Sequence, residues 1–272
     1  MAGQKYPASL KEALDMLASE RLIPYAGGTD IMTGDPENKD FIFICNIPEM
    51  RKTEDDGSFI RIGAACTFSE VLKNPLVPRI MREAVAEIGA PAIRNLGTMG
   101  GNIANGSAKA DTVPVEYACD AKLRIVSARK ERIVDADMFF KSRKRTDISP
   151  DELIVEILLP KTGLENGYFK KVGARAALAV SRVSFAGVFR TYEGKITGIS
   201  AAFGAVAETV LRFKDIEKTL IGKTLKEASA LKSDFLKAYC DAVVPISGRV
   251  SSDYRKQVCM NLLDDFLTAN GI

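Results

Sequence analysis

The sequence contains no histidine. That absence removes the usual general base near neutral pH, the commonest metal ligand, and any Ser-His or Cys-His nucleophile. Cysteine is sparse and scattered: Cys45, Cys66, Cys119, Cys240 and Cys259, of which the nearest two are Cys240 and Cys259. No pair has the close spacing of a zinc or iron–sulfur site, and an odd number in apolar surroundings reads as buried free thiols. No apolar run approaches the length that spans a bilayer, and the start, Met1 to Pro7, lacks the apolar core of a secretion signal, so the cytoplasm is the expected location. A strongly basic surface is missing too, since 38 Lys and Arg face 35 Asp and Glu, which makes nucleic acid a poor candidate partner. Chemistry in such a chain belongs to a cofactor.

What is present is ordinary globular material: 272 residues, 46% hydrophobic and 27% charged, enough for two domains or one large one. Within it one stretch stands out, Ile93 to Asn105, where Gly97, Gly100 and Gly101 fall close together ahead of Asp111. Glycines so placed let a backbone approach a ligand, and the intervening amides can form an anion-binding concavity. A second such stretch, Ala26, Gly27, Gly28, Thr29 and Asp30, follows the short apolar run from Leu22 to Tyr25. The two can act as halves of one diphosphate clamp only if the chain folds back on itself. Thr29 and Thr98 offer hydroxyl donors and Asn102 an amide, whereas Asp30 and Asp111 are acceptors suited to a ribose or ribityl hydroxyl.

Neither G-x-G-x-x-G nor G-x-x-x-x-G-K-S/T occurs, so Rossmann and P-loop sites are not indicated. A Gly-Gly pair alone is more often a tight turn. On residues alone, the sequence supports a two-loop anion or dinucleotide site and no more.

Along the chain, Ser9 and Glu12 form a capping-box pattern before a helix through Arg21, and 35–40 is polar turn material ahead of a buried strand at 41–45. A strand at 59–64, a helix capped by Thr67 and Glu70, and a helix from Pro78 to a stop at Gly89 precede the glycine stretch. After it come a helix at 112–119 capped by Asp111 or Thr112, a hairpin of 122–126 with 132–134, and a helical turn at 138–140. The basic run 141–145 reads as a solvated loop. A strand at 153–160 ends the first part. Strands at 168–172, 181–192 and 195–205 then make an antiparallel meander, followed by two helices, the first capped by Thr224 and Glu227 and the last opened by Ser252 and Asp253. Arg94 is expected to pair with a carboxylate under the glycine stretch. No internal repeat or low-complexity linker is seen.

Ala26 to Asp30, Ile93 to Asn105 with Asp111 and Pro114, and Lys171, Val172, Gly173, Ala174 and Arg175 together resemble the FAD-binding subunit of the molybdenum hydroxylases, the xanthine dehydrogenase and carbon monoxide dehydrogenase family. The likeness covers nearly the whole chain. It implies an α+β fold: a two-subdomain FAD-binding region of the PCMH/VAO type over 1–162, divided at about 53, then a smaller α+β domain over 167–272 with an antiparallel three-stranded sheet and helices.

The resemblance implies FAD as this chain's cofactor, its diphosphate held by Ala26, Gly27, Gly28, Thr29, Asp30 and Ile31 and by Thr98, Gly100, Gly101 and Asn102. Asp111 falls on the ribose-binding aspartate, Ile154 on a strand position by the isoalloxazine, and Lys171 on a flavin-proximal lysine whose charge would favour reduced, anionic flavin. Implied partners are a molybdopterin-binding large subunit and a 2Fe–2S small subunit, with electrons passing to NAD or another acceptor. The segment 34–40 is short, and no cysteine-rich insertion for an extra cluster is present. Two other classes are a self-contained flavin oxidase, which would need its own substrate pocket, and a non-catalytic assembly module, in which the glycine stretches would have no use.

Overall fold

Ser9 opens the first helix, Leu10–Ser19, by accepting from the Glu12 amide, and Ala13, Leu14 and Leu17 line its buried side. The Glu12 carboxylate does not complete the expected capping box; it accepts from the Ala8 amide, 2.7 Å away. The computed structural model describes residues 3–34, 37 and 39–272; Asp35, Pro36 and Asn38, in the expected polar turn, lie outside the described residues.

The chain forms two compact units, and neither is one continuous stretch. The first takes in the described residues of Met1–Val77, Ile88–Ser107 and Asp120–Lys161; the second takes in Pro78–Glu87, Ala108–Cys119 and Thr162–Ile272.

The first unit holds two larger sheets. In the smaller, Phe41–Phe43 is the middle strand, parallel to both Gln4–Lys5 and Ile23–Tyr25. Burial of Phe41 and Ile42 matches the continuous apolar run that marks a strand covered on both faces. Ile23–Tyr25 is an edge strand, and the first glycine segment leaves from its end.

The second sheet is antiparallel and has five strands. Its middle strand is Leu153–Pro160, flanked by Phe59–Gly63 and Lys122–Val126, with Thr53–Asp55 and Glu131–Asp135 at the edges. The register against Lys122–Val126 shifts between Ile154 and Glu156, which makes Val155 the extra residue of a bulge. Its carbonyl accepts from the Ala64 amide at 2.8 Å. The basic run is not a plain loop: Phe140–Ser142 and Arg145–Thr146 pair as a small hairpin.

The second unit is built on the expected meander, Gly167–Val172, Val183–Tyr192 and Lys195–Gly204, antiparallel throughout. A fourth strand, Leu211–Arg212, pairs with Ala202 and Phe203. Two residues are too few to show alternation, and Glu217, bound to the Arg212 guanidinium, holds this one in place. Val183, Phe185, Phe189, Phe203, Phe235, Tyr239, Leu263 and Phe266 belong to one core formed by the sheet with helices Leu225–Ala242 and Ser252–Ala269. Thr224 and Glu227 form the expected capping box. Helix Thr112–Ala118 also packs on this sheet, fixed by Ser200 Oγ donating to the Ala118 carbonyl at 2.6 Å. None of the five cysteines is in a disulfide; Cys66, Cys119 and Cys259 are buried, and Cys45 and Cys240 half-buried.

Candidate functional site

The two glycine segments meet within the first unit. A Cβ placed on Gly27 would stand 1.8 Å from the Leu96 carbonyl oxygen and 3.0 Å from Gly97 Cα, so only glycine allows this approach of backbone to backbone. The position a Gly101 Cβ would take lies 3.9 Å from Ala26 Cβ. Gly28 has φ +69°, a left-handed backbone, and a Cβ there would strike the Tyr25 hydroxyl at 2.0 Å. After it, the Gly28 carbonyl accepts from Met32, entering the 3₁₀ turn Ile31–Thr33. Among the described residues, the N–H groups of Gly27, Gly28, Thr29 and Asp30 donate to no other part of the chain.

The second segment is not the open amide loop expected from its glycines. It is two short helical turns, Pro91–Leu96 and Met99–Ala104, with Thr98 as the cap of the second. Met99 N–H donates to Cys66, Gly100 N–H to Ala64, Gly101 N–H to Thr98 Oγ1 and Asn102 N–H to the Thr98 carbonyl, at 2.8–3.1 Å. These four amides are therefore committed, whereas those of Gly27 to Asp30 are not. Thr98 Oγ1 accepts from Gly101, and its own proton has no acceptor among the described residues. Gly100 is a packing residue, since its Cβ would sit 2.5 Å from Ala64 Cβ, whereas Gly101 is exposed. Ala64 joins the segment to the bulged middle strand, where Ile154 is buried at 5% exposure. Among the described residues Arg94 pairs with no carboxylate; its guanidinium donates to the Ile88 and Gly89 carbonyls at 2.8 and 3.0 Å.

One cation reaches both segments. The Lys144 ammonium donates to Asn105 Oδ1 and lies 3.4 Å from Asp30 Oδ2.

In the second unit, Asp111 and Lys171 are brought together. Lys171 Nζ is 2.7 Å from Asp111 Oδ2 and 2.7 Å from the Glu87 carbonyl, with both side chains under a tenth exposed. The neighbouring Lys170 is exposed, so the inward lysine of this strand is Lys171. Asp111 occupies the cap position of helix Thr112–Ala118 but makes no cap bond, its other oxygen accepting from Ser181 Oγ. Burial raises its carboxyl above the ordinary carboxylate value, with Lys171 and Ser181 pulling the other way.

The family described as the FAD binding domain in molybdopterin dehydrogenase matches residues 3–162, and that described as the CO dehydrogenase flavoprotein C-terminal domain matches 168–269. The chain belongs to this flavin-subunit family of the molybdenum hydroxylases. It is 30% identical to a xanthine dehydrogenase FAD-binding subunit of Escherichia coli O157:H7 over 91% of this chain and 88% of that one. It is 31% identical to the glyceraldehyde dehydrogenase medium chain of Sulfolobus acidocaldarius, over 92% and 91%. Among solved structures, a carbon monoxide dehydrogenase from Hydrogenophaga pseudoflava lacking the Mo-pyranopterin moiety superposes with a TM-score of 0.87 at 26% identity, covering 98% and 96% of the two chains.

As a flavin subunit of an oxidoreductase, the chain has donors that fit its cofactor: uncommitted backbone amides beside a glycine surface without side chains suit a diphosphate. Lys144, Ser181 and Glu87 are the neighbours that sequence reasoning missed. The only signal for Lys144 was a basic run that also fits a solvated loop, and nothing in the sequence ties Ser181 or the Glu87 carbonyl to Asp111 and Lys171.

Proposed function

We propose that this chain is the electron-transfer subunit of a cytoplasmic, multi-subunit molybdenum-containing hydroxylase. It takes electrons from the iron–sulfur clusters of a small partner, supplied by a molybdopterin-binding large partner, and delivers them to NAD or another acceptor. The observation that carries this reading is the junction at Gly27: a backbone-on-backbone approach that admits no side chain, beside amides with no acceptor among the described residues.

The chemistry a bound FAD supplies is exchange between single-electron carriers and a two-electron acceptor. The Gly27 to Asp30 amides, with Ala26 and Ile31 shaping the segment, bind the diphosphate. The Thr98 hydroxyl and Asn102 side chain add polar contacts, and Gly101 leaves the surface bare. Gly100 holds the second segment onto Ala64. Asp111 is assigned to a ribose hydroxyl, Ile154 to the flavin ring's apolar contact, and Lys171 to electrostatic tuning of the ring; its bond to Asp111 orients that carboxylate. No helix of the described residues is long and apolar enough to cross a membrane.

The test is a visible absorption spectrum of the full chain purified with added FAD, repeated after denaturation. A bound flavin released by unfolding is the expected result. No flavin in either the chain or its co-purified complex would overturn the reading.

A further inference from the structure

A diphosphate brings two negative charges, and neither glycine segment carries a lysine or arginine: Ala26 to Ile31 contributes Asp30 instead, and Thr98 to Asn105 has no charged residue. Arg94, just upstream, is bound to the Ile88 and Gly89 carbonyls. Backbone amides can satisfy phosphate oxygens, but a cation adds a charge-assisted contact roughly twice as strong. The ammonium set against both segments comes from elsewhere in the chain.

Lys144 is held there by three features. Its backbone is left-handed, φ +60°, a conformation that strains a residue with a side chain and persists where the surroundings enforce it. Its amide donates to the Gly106 carbonyl at 2.9 Å. Gly106 is itself at φ +60°, and a Cβ on it would stand 3.1 Å from Lys144 Cα, so the hairpin turn rests directly on the chain leaving the second glycine segment. From that seat the side chain spans Asn105 and Asp30.

The hold on the ammonium is light where it must be. Lys144 and Asp30 are exposed, at 51% and 62%, and 3.4 Å apart, and an exposed pair of this kind contributes little stability. Moving the ammonium to a phosphate oxygen therefore costs little, while the strained backbone keeps its stem in place.

We propose that Lys144 is the phosphate-facing cation of the dinucleotide site, resting on Asp30 and Asn105 and transferring its ammonium to the diphosphate when FAD binds. The proposal rests on the flavin reading above. Lys144 is a binding residue, supplied by an element outside both glycine segments.

The test is fluorescence titration of the deflavinated full chain with FAD and with riboflavin, which lacks the diphosphate, across ionic strengths. Two variants are compared with wild type. Lys144→Gln keeps the left-handed strain and removes the charge; Lys144→Gly removes both, and glycine adopts φ +60° without penalty. Both variants are expected to keep wild-type circular dichroism, to bind FAD on the order of tenfold to a hundredfold more weakly at low salt, and to show a shallower salt dependence. Riboflavin affinity should not change, and Lys144→Arg should restore most of the FAD affinity. Wild-type FAD affinity in Lys144→Gly, or equal loss of FAD and riboflavin, would overturn the proposal and leave the flavin reading standing. A wild-type chain that binds no FAD overturns both.

Discussion

Glu116 shows what a single residue can reveal about the second unit. It lies in helix Thr112–Ala118 at 0% exposure, and among the described residues neither carboxylate oxygen has a hydrogen-bond partner. Burial pushes its carboxyl up to about 8, with only the nearby Thr112 hydroxyl pulling the other way. The folded chain therefore keeps a proton that the unfolded chain has already released between the ordinary glutamate value and about 8. Folding stability must fall as pH rises through that window and level off above it. Glu116→Gln removes the penalty: the variant should match wild type near pH 5 and exceed it near pH 9 by on the order of 2–4 kcal/mol. Urea midpoints at the two pH values check this, and parallel pH profiles would refute it. Glu152 in the first unit is the opposite case. Burial alone would raise its carboxyl, but the Arg132 fork, the Ser149 amide and Lys130 outweigh it and hold the group at about 2. Its contribution is present above the ordinary glutamate value and is lost as pH falls through about 2.

At the scale of elements, the glycine segments separate two functions that a sequence cannot tell apart. Gly27→Ala drives a Cβ into a backbone carbonyl, so it should part the segments, lose flavin, and cost roughly 1–3 kcal/mol. Gly101→Leu sits at an exposed position but sets its Cβ 2.8 Å from Thr98 Oγ1, the atom that caps its own helix, so it should lose flavin at a cost of about 1 kcal/mol for the disturbed cap. Flavin content after gel filtration, set beside the melting curve of each variant, distinguishes the two. The second segment was legible because three glycines stand within five residues, the first only through the family resemblance, since a Gly-Gly pair alone is more often a tight turn, and the strands at Phe59–Gly63, Leu153–Pro160 and Val183–Tyr192 because their apolar patterns are long. Gln4–Lys5 and Leu211–Arg212 were not, since two residues carry no period. Nor was the closed state of the second segment: the Met99 and Gly100 amides return to Cys66 and Ala64, partners more than thirty positions upstream. Lys144 was hidden in the same way, because its backbone conformation is imposed by contact with Gly106.

For the whole molecule, the reading as one subunit of a complex has an elemental signature. The complex isolated from its source should contain molybdenum and iron, and this chain separated from its partners should contain flavin and neither metal; metal analysis of both fractions decides it, and stoichiometric iron in the isolated chain would sink the assignment. The order of strands in the five-stranded sheet bears on how the chain is made. Its middle strand, Leu153–Pro160, is the last of the five to leave the ribosome. Until then the nascent chain holds two separate hairpins, Thr53–Asp55 with Phe59–Gly63 and Lys122–Val126 with Glu131–Asp135, each with an open edge and nothing to join them. A ribosome stalled after both hairpins have emerged but before Leu153–Pro160 has leaves both edges unpaired, and unpaired edges of this kind recruit other chains. Synthesis of this subunit thus has a vulnerable interval about a hundred residues long, closed by a single eight-residue strand.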